Sequence, residues 1–205
     1  MSKLTMTTFL TLDGVMQAPG GPPEDPSGGF GYGGWLVPYF DADMGKFMTQ
    51  VFERADAFLL GRTTYQIFAG HWPRVTDPAN LIASKLNTLP KHVASKTLDR
   101  VEWHASSLVT DVISALPTLK NRYPRELQVH GSAGLAQTLL EHDLVEEFHL
   151  LVFPVVLGTG KRLFAAGAVP AAMKLLETRT TESGTIIASY ARAGKPKLGS
   201  FMLDP

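Results

Sequence analysis

The chain has 205 residues, with 19 Lys plus Arg balanced by 19 Asp plus Glu, so its zero net charge argues against nucleic acid or an anionic membrane as a partner. It has no cysteine, which excludes disulfides, thiolate zinc sites, iron–sulfur clusters and thiol catalysis. Its 44% apolar content fits one buried core, while Gly and Pro are in surplus only at residues 19–38, where twelve of them fall.

Residues 4–12, LTMTTFLTL, read as a strand that ends in the Asp13-Gly14 turn. The Gly/Pro-rich stretch 19–38, PGGPPEDPSGGFGYGGWLVP, reads either as a surface loop or as a flap over a pocket, with Phe30, Tyr32 and Trp35 as lid aromatics. Over 39–55, Phe40, Met44, Phe47, Met48, Val51 and Phe52 mark one face of a helix. A short strand at 57–60 runs into a helix that opens at Gly61 and stops at Pro73. Residues 79–89 are predicted helical, and 91–95 and 101–106 are predicted to be short strands. Val112, Ile113, Leu116 and Leu119 mark a further helix, followed by a strand at 126–130 and a helix at 132–142. A long strand at 146–156 and two strands at about 173–182 and 185–192, joined at Ser183-Gly184, complete the pattern.

Alternating strands and helices closed by a hairpin predict an α/β domain with a mixed, mostly parallel twisted sheet and helices on both faces. One domain is expected over 1–194, with a tail at 195–205. The N-terminus lacks the long apolar core of a signal peptide, and no apolar run approaches the roughly 18 residues of a membrane helix. The expectation is therefore a cytoplasmic protein.

Two glycine motifs are set aside. Gly29 to Gly34 spells G-x-G-x-x-G but lacks the preceding strand and following helix of a dinucleotide fingerprint. Gly158-Thr159-Gly160-Lys161 lacks the first Gly and the final Ser or Thr of a P-loop, and reads as a strand-end turn. The six histidines show no metal spacing, so no metal site is expected, and no G-x-S-x-G elbow is present.

Two strand ends carry more chemistry. Gly61, Arg62, Thr63 and Thr64, and likewise Gly131, Ser132, Ala133 and Gly134, place Gly at a strand's carboxyl end and hydroxyl residues at a helix start. Free N–H groups and the helix dipole make such ends anion sites, and ligands of open α/β sheets gather there. The alternative is that the Ser and Thr residues only cap helices. Arg62 favours a bound phosphate, because a cation in the first helical turn opposes the dipole. Ser95 and Lys96, with Thr97, end another short strand; they are a polar turn or further contacts to the same anion.

Together TLDG (11–14), LLGRTTYQIFAGHWP (59–73), KHVASKTL (91–98) and LQVHGSAGLAQTLLEHDLVEEFHLLVFPVVLGTGKRLF (127–164) resemble the dihydrofolate reductase superfamily. The likeness is greatest to the pyrimidine reductase domain of riboflavin biosynthesis and its stand-alone bacterial relatives. The resemblance implies a dihydrofolate reductase-like fold, NADPH as cofactor, a small heterocyclic substrate of pteridine or pyrimidine type, and a homodimer. Arg62, Ser95 and Lys96 would face the 2′-phosphate end of the cofactor. Thr63, Thr64 and Gly131 to Gly134 would hold its pyrophosphate.

Hydride transfer also needs a proton donor. Asp43, on an altered echo of the superfamily's Trp-Pro-acid pattern, and Asp13, at the first strand's end, are the two candidates. An Asx turn at Asp13 and helix capping at Asp41 or Asp43 are the structural alternatives. The spacing from Pro38 departs from the superfamily pattern, which counts against dihydrofolate as substrate. A nucleotide-binding module without turnover would keep the same phosphate contacts and is the alternative function.

Overall fold

The strand at the N-terminus, β1 (Lys3–Thr11), alternates Leu4, Met6 and Leu10 with Thr5, Thr7 and Phe9, so its two faces feed two separate cores. The computed structural model describes residues 1–165 and 168–202. Along the chain come α1 (Ala42–Glu53), β2 (Ala55–Gly61), α2 (Arg62–His71), α3 (Leu81–Thr88), β3 (Lys91–Ala94) and β4 (Ser106–Val109). They are followed by α4 (Val112–Arg122), β5 (Glu126–His130), α5 (Ala133–Glu141), β6 (Glu147–Phe153), β7 (Met173–Thr180) and β8 (Ile186–Arg192).

The strands form one eight-stranded sheet in the order β4-β3-β2-β5-β1-β6-β8-β7. Strands β1 to β6 pair in parallel, and β8 and β7 close the sheet antiparallel. Met44, Phe47, Val51 and Phe52 of α1 pack on one face with Tyr65 of α2 and Leu86 of α3. Leu116 and Leu119 of α4 and Leu135 and Leu139 of α5 pack on the other. This is the three-layer α/β architecture expected from the sequence, and it brings the carboxyl ends of the parallel strands to one edge.

Three helices are capped by side chains. Asp41 accepts the Met44 N–H (2.9 Å), Asn80 that of Ala83 (3.0 Å) and Asp111 that of Ser114 (3.2 Å). Among the described residues no helix is long and apolar enough to cross a membrane.

Two expectations are corrected. The strand expected at 101–106 begins only at its last residue: 101–105 are not a strand, Trp103 is buried in the core, and the Glu102 and Trp103 N–H groups donate to the Tyr65 hydroxyl. A positive φ of 55° at Ala105 then turns the chain, and Ser106–Val109 pairs with β3 instead. The Gly/Pro segment is not a set of free lid aromatics either. Phe30 and Trp35 lie in the core, while Tyr32 is 55% exposed.

The segment is tied down by side chains. The Trp35 indole packs edge-on against Phe153 at 5.4 Å and donates to the Gln17 carbonyl at 2.8 Å. The Gln17 amide donates to the Asp25 and Ser27 carbonyls and accepts the Lys161 N–H. A side chain at Gly33 would lie 2.6 Å from the Pro22 Cα, so glycine lets two passes of the loop touch.

Candidate functional site

Helices α2 and α5 both start where a parallel strand ends, and neither start is capped by a side chain. Their first N–H groups are therefore left for a ligand or solvent. The Ser132 hydroxyl, which the sequence offers as a cap, bridges the two sites instead. It accepts the Gly61 N–H at 3.0 Å and donates to the His130 carbonyl at 3.1 Å. Gly131 and Ser132 both adopt positive φ (55° and 64°), and the Gly131 N–H donates to the Thr7 carbonyl at 3.1 Å across the paired strands. Thr63 and Thr64 sit inside the first turn of α2 rather than at its cap.

Both strand ends open on a cavity of about 800 Å³. All ten residues offered as cofactor ligands line it: Gly61, Arg62, Thr63, Thr64, Ser95, Lys96, Gly131, Ser132, Ala133 and Gly134. Arg62 is anchored by a 2.8 Å bond to the Thr97 hydroxyl, across the ends of the paired strands β2 and β3. Ser95 accepts the N–H groups of Thr97 and Leu98, so the polar-turn alternative also holds there. Uncapped helix starts beside two cations suit an anionic, phosphate-bearing group.

The structure does not bring the two candidate proton donors to the cavity: neither Asp13 nor Asp43 lines it. Asp13 accepts the Thr11 hydroxyl at 2.6 Å, the N–H groups of Leu157 and Gly158, and the Arg162 guanidinium. The Thr11 bond above all, then the backbone and Arg162 bonds, outweigh desolvation and hold its carboxyl well below the usual carboxylate range. Such a group stays ionised and ties a turn. Asp43 is solvent-exposed on the first turn of α1, paired with Lys46 at 3.1 Å. Among the carboxyls that do line the cavity, Asp25 pairs with Lys161 at 2.6 Å. Burial pushes Glu24 above the usual range despite bonds from Gly20 and Gly21.

The sequence reading missed a buried polar row that runs along β5 and reaches the cavity at His130. Glu126, Gln128 and His130 alternate along β5, all buried beneath α1. Arg54 donates to Glu126 at 2.7 Å, and the Gln128 amide donates to Glu126 at 2.6 Å and to the Val51 carbonyl at 2.7 Å. The remaining Gln128 oxygen lies 3.1 Å from His130 Nε2. His130 reaches the cavity wall and stacks on Phe52, with ring centroids 4.5 Å apart. Burial, reinforced by neighbouring His149, drives its pKa down to about 3, so the imidazole is neutral. Thr7 lies beside His130 on the adjacent strand, and its buried hydroxyl has no partner. One signal was available: His130 immediately precedes the Gly131 turn, at the ligand end of a parallel strand.

Residues 2–187 match the family model of the RibD C-terminal domain. The uncharacterized protein YyaP of Bacillus subtilis (strain 168) is 26% identical over 190 residues, covering 92% of this chain and 94% of that protein. A putative riboflavin biosynthesis protein from Shewanella sp. PV-4 superposes with a TM-score of 0.70 at 20% identity, covering 93% of this chain and 99% of that one. A diaminohydroxyphosphoribosylaminopyrimidine deaminase/5-amino-6-(5-phosphoribosylamino)uracil reductase from Thermotoga maritima gives a TM-score of 0.62 at 12% identity. There the match covers 94% of this chain and 57% of the other, so the chain spans little more than half of that protein.

Proposed function

The chain belongs to the RibD C-terminal domain family, and from that premise we propose that it is an NADPH-dependent reductase of a pteridine- or pyrimidine-like heterocycle. The observation that carries this reading is the pair of uncapped helix starts, joined by the Ser132 hydroxyl, on one large cavity. Arg62, Ser95 and Lys96 would hold the 2′-phosphate end, and the N–H groups of Thr63, Thr64 and Ser132 to Gly134 the pyrophosphate, with Gly131, whose own N–H goes to the Thr7 carbonyl, letting the backbone turn toward it. A reduced nicotinamide supplies a hydride to an electron-poor C=N or C=O. The chain's own work is to align the two partners and exclude water, with Phe52, Met48 and Leu36 walling the cavity.

Titration followed by nicotinamide fluorescence tests the reading. Arg62→Ala should weaken NADPH by about ten- to a hundredfold, the worth of one or two charge-assisted bonds, and NADH by less than about threefold. Equal losses would overturn the assignment of Arg62 to the 2′-phosphate. A second reading, a nucleotide-binding module without turnover, is favoured by one observation: neither Asp13 nor Asp43 lines the cavity. Consumption of NADPH with a panel of heterocycles decides between them. The homodimer is likewise our proposal, supported by half-exposed Leu175 and Leu176 on the edge strand β7. Light scattering should give twice the 22.3 kDa chain mass.

A further inference from the structure

The tautomer of His130 follows from its neighbours. Gln128 is fully buried, and its NH₂ donates both hydrogens, to the Val51 carbonyl and to Glu126. The amide orientation is thus set, and the Gln128 oxygen can only accept. His130 Nε2 must then carry the proton it shares at 3.1 Å, which leaves Nδ1 as a bare acceptor. Nothing in the described chain donates to Nδ1. On the adjacent strand, in register with His130, Thr7 is 2% exposed and lines the same cavity, yet its hydroxyl finds no partner. Buried hydroxyls are almost always bonded, so an orphan on a cavity wall marks a place where a ligand completes the bond.

The charges on the wall narrow the ligand further. Among the described residues, the cavity's cations are Arg62, Lys96 and Lys161. Arg62 and Lys96 stand at the ends of β2 and β3, and Lys161 is neutralised by Asp25 at 2.6 Å. No free cation remains beside Thr7 and His130, and Glu24 on the same wall opposes an anion.

Resting on the reading that the cofactor takes the strand ends, we propose that Thr7 Oγ1 and His130 Nδ1 form the recognition pair for the second substrate. That substrate is an uncharged, unphosphorylated heterocycle presenting a lactam N–H to Nδ1 and a polar atom to the Thr7 hydroxyl, with its ring against Phe52. A pyrimidine carrying a phosphoribosyl arm is refused, because its phosphate meets no free cation.

The test uses the full chain with saturating NADP⁺, titrated with lumazine, a neutral two-lactam pteridine, and with uridine 5′-monophosphate. Lumazine should bind at least about tenfold more tightly than the nucleotide. Thr7→Val should weaken lumazine about tenfold, leave NADP⁺ within about twofold, and not lower the melting temperature, since the hydroxyl it removes is unpaired. His130→Leu should weaken lumazine similarly. In the wild type with ¹⁵N-labelled histidine, the unprotonated Nδ1 resonance of His130 should shift when lumazine is added.

Tighter binding of the nucleotide, an unmoved Nδ1 resonance, or full lumazine affinity in Thr7→Val would each overturn the pair. A wild-type protein that binds NADP⁺ but not lumazine also overturns the pair, but leaves the reductase reading standing. Failure of NADP⁺ itself to bind brings down that reading instead.

Discussion

Lys91 offers the most quantitative test of the packing. Its side chain is fully buried; Nζ donates to the carbonyls of Leu86 (2.6 Å) and Leu89 (2.8 Å) and lies 4.4 Å from the Trp103 ring centroid. Burial lowers its pKa from 10.5 to about 8. Between those values the unfolded chain holds the proton and the folded chain releases it, so stability rises with pH across that window. Relative to the neutral amine, the charged form costs about 3 kcal/mol near pH 7 and about 1.4 kcal/mol near pH 9.5. The two carbonyls and the Trp103 ring favour the ammonium, so both figures are upper bounds. Lys91→Met removes the titration, and its cost of orphaned carbonyls does not vary with pH. Urea unfolding of both proteins near pH 7 and pH 9.5 should show the stability gap moving by up to about 2 kcal/mol in favour of the wild type. A gap equal at both pH values would refute burial as the dominant influence on Lys91.

Trp35→Ala should cost about 3–5 kcal/mol in urea unfolding, because Trp35 is a core residue; an unchanged midpoint would show that segment 19–38 is an independent flap. Asp13→Asn should lower the melting temperature by about 5 °C near neutral pH. That stabilisation is present above the ordinary carboxylate pKa of 3.8 and fades as pH falls through the lower folded value, so wild type and variant should converge in acid. A turnover loss of about a hundredfold without any loss of stability would instead restore Asp13 as proton donor. Ser132→Ala leaves the Gly61 N–H without its acceptor and should cost about 1–2 kcal/mol, with weaker NADPH binding in the same titration as for Arg62. Unchanged values for both would show that the bridge between the strand ends is idle.

Most of the sheet was readable because its signals are local. Apolar runs bounded by Gly61 and Gly131 mark β2 and β5, and the Ser183-Gly184 turn marks the closing hairpin. β4 was misplaced because Val101, Trp103 and Ala105 mimic strand alternation, while the true strand opens on Ser106 and Ser107. Its placement depends on the Tyr65 hydroxyl, about forty residues upstream in the chain. The cofactor-side residues were readable because helix starts are sequence-local. The role of Asp13 was not, since its partners Leu157, Gly158 and Arg162 lie some 145 residues away. Thr7 and His130 escaped for the same reason: only the pairing of β1 with β5 sets them side by side.

Gln17 has a consequence for how such proteins diverge. Its single amide holds the Gly/Pro segment at Asp25 and Ser27 and grips the backbone of Lys161, 144 residues further on. Two stretches distant in the gene are therefore one mechanical part of the cavity rim. Among homologues, changes in 19–38 should be inherited jointly with changes in 157–162. A chimera that exchanges one stretch alone inherits a mismatched rim, whereas exchanging both transplants the rim intact, together with whatever selectivity it confers.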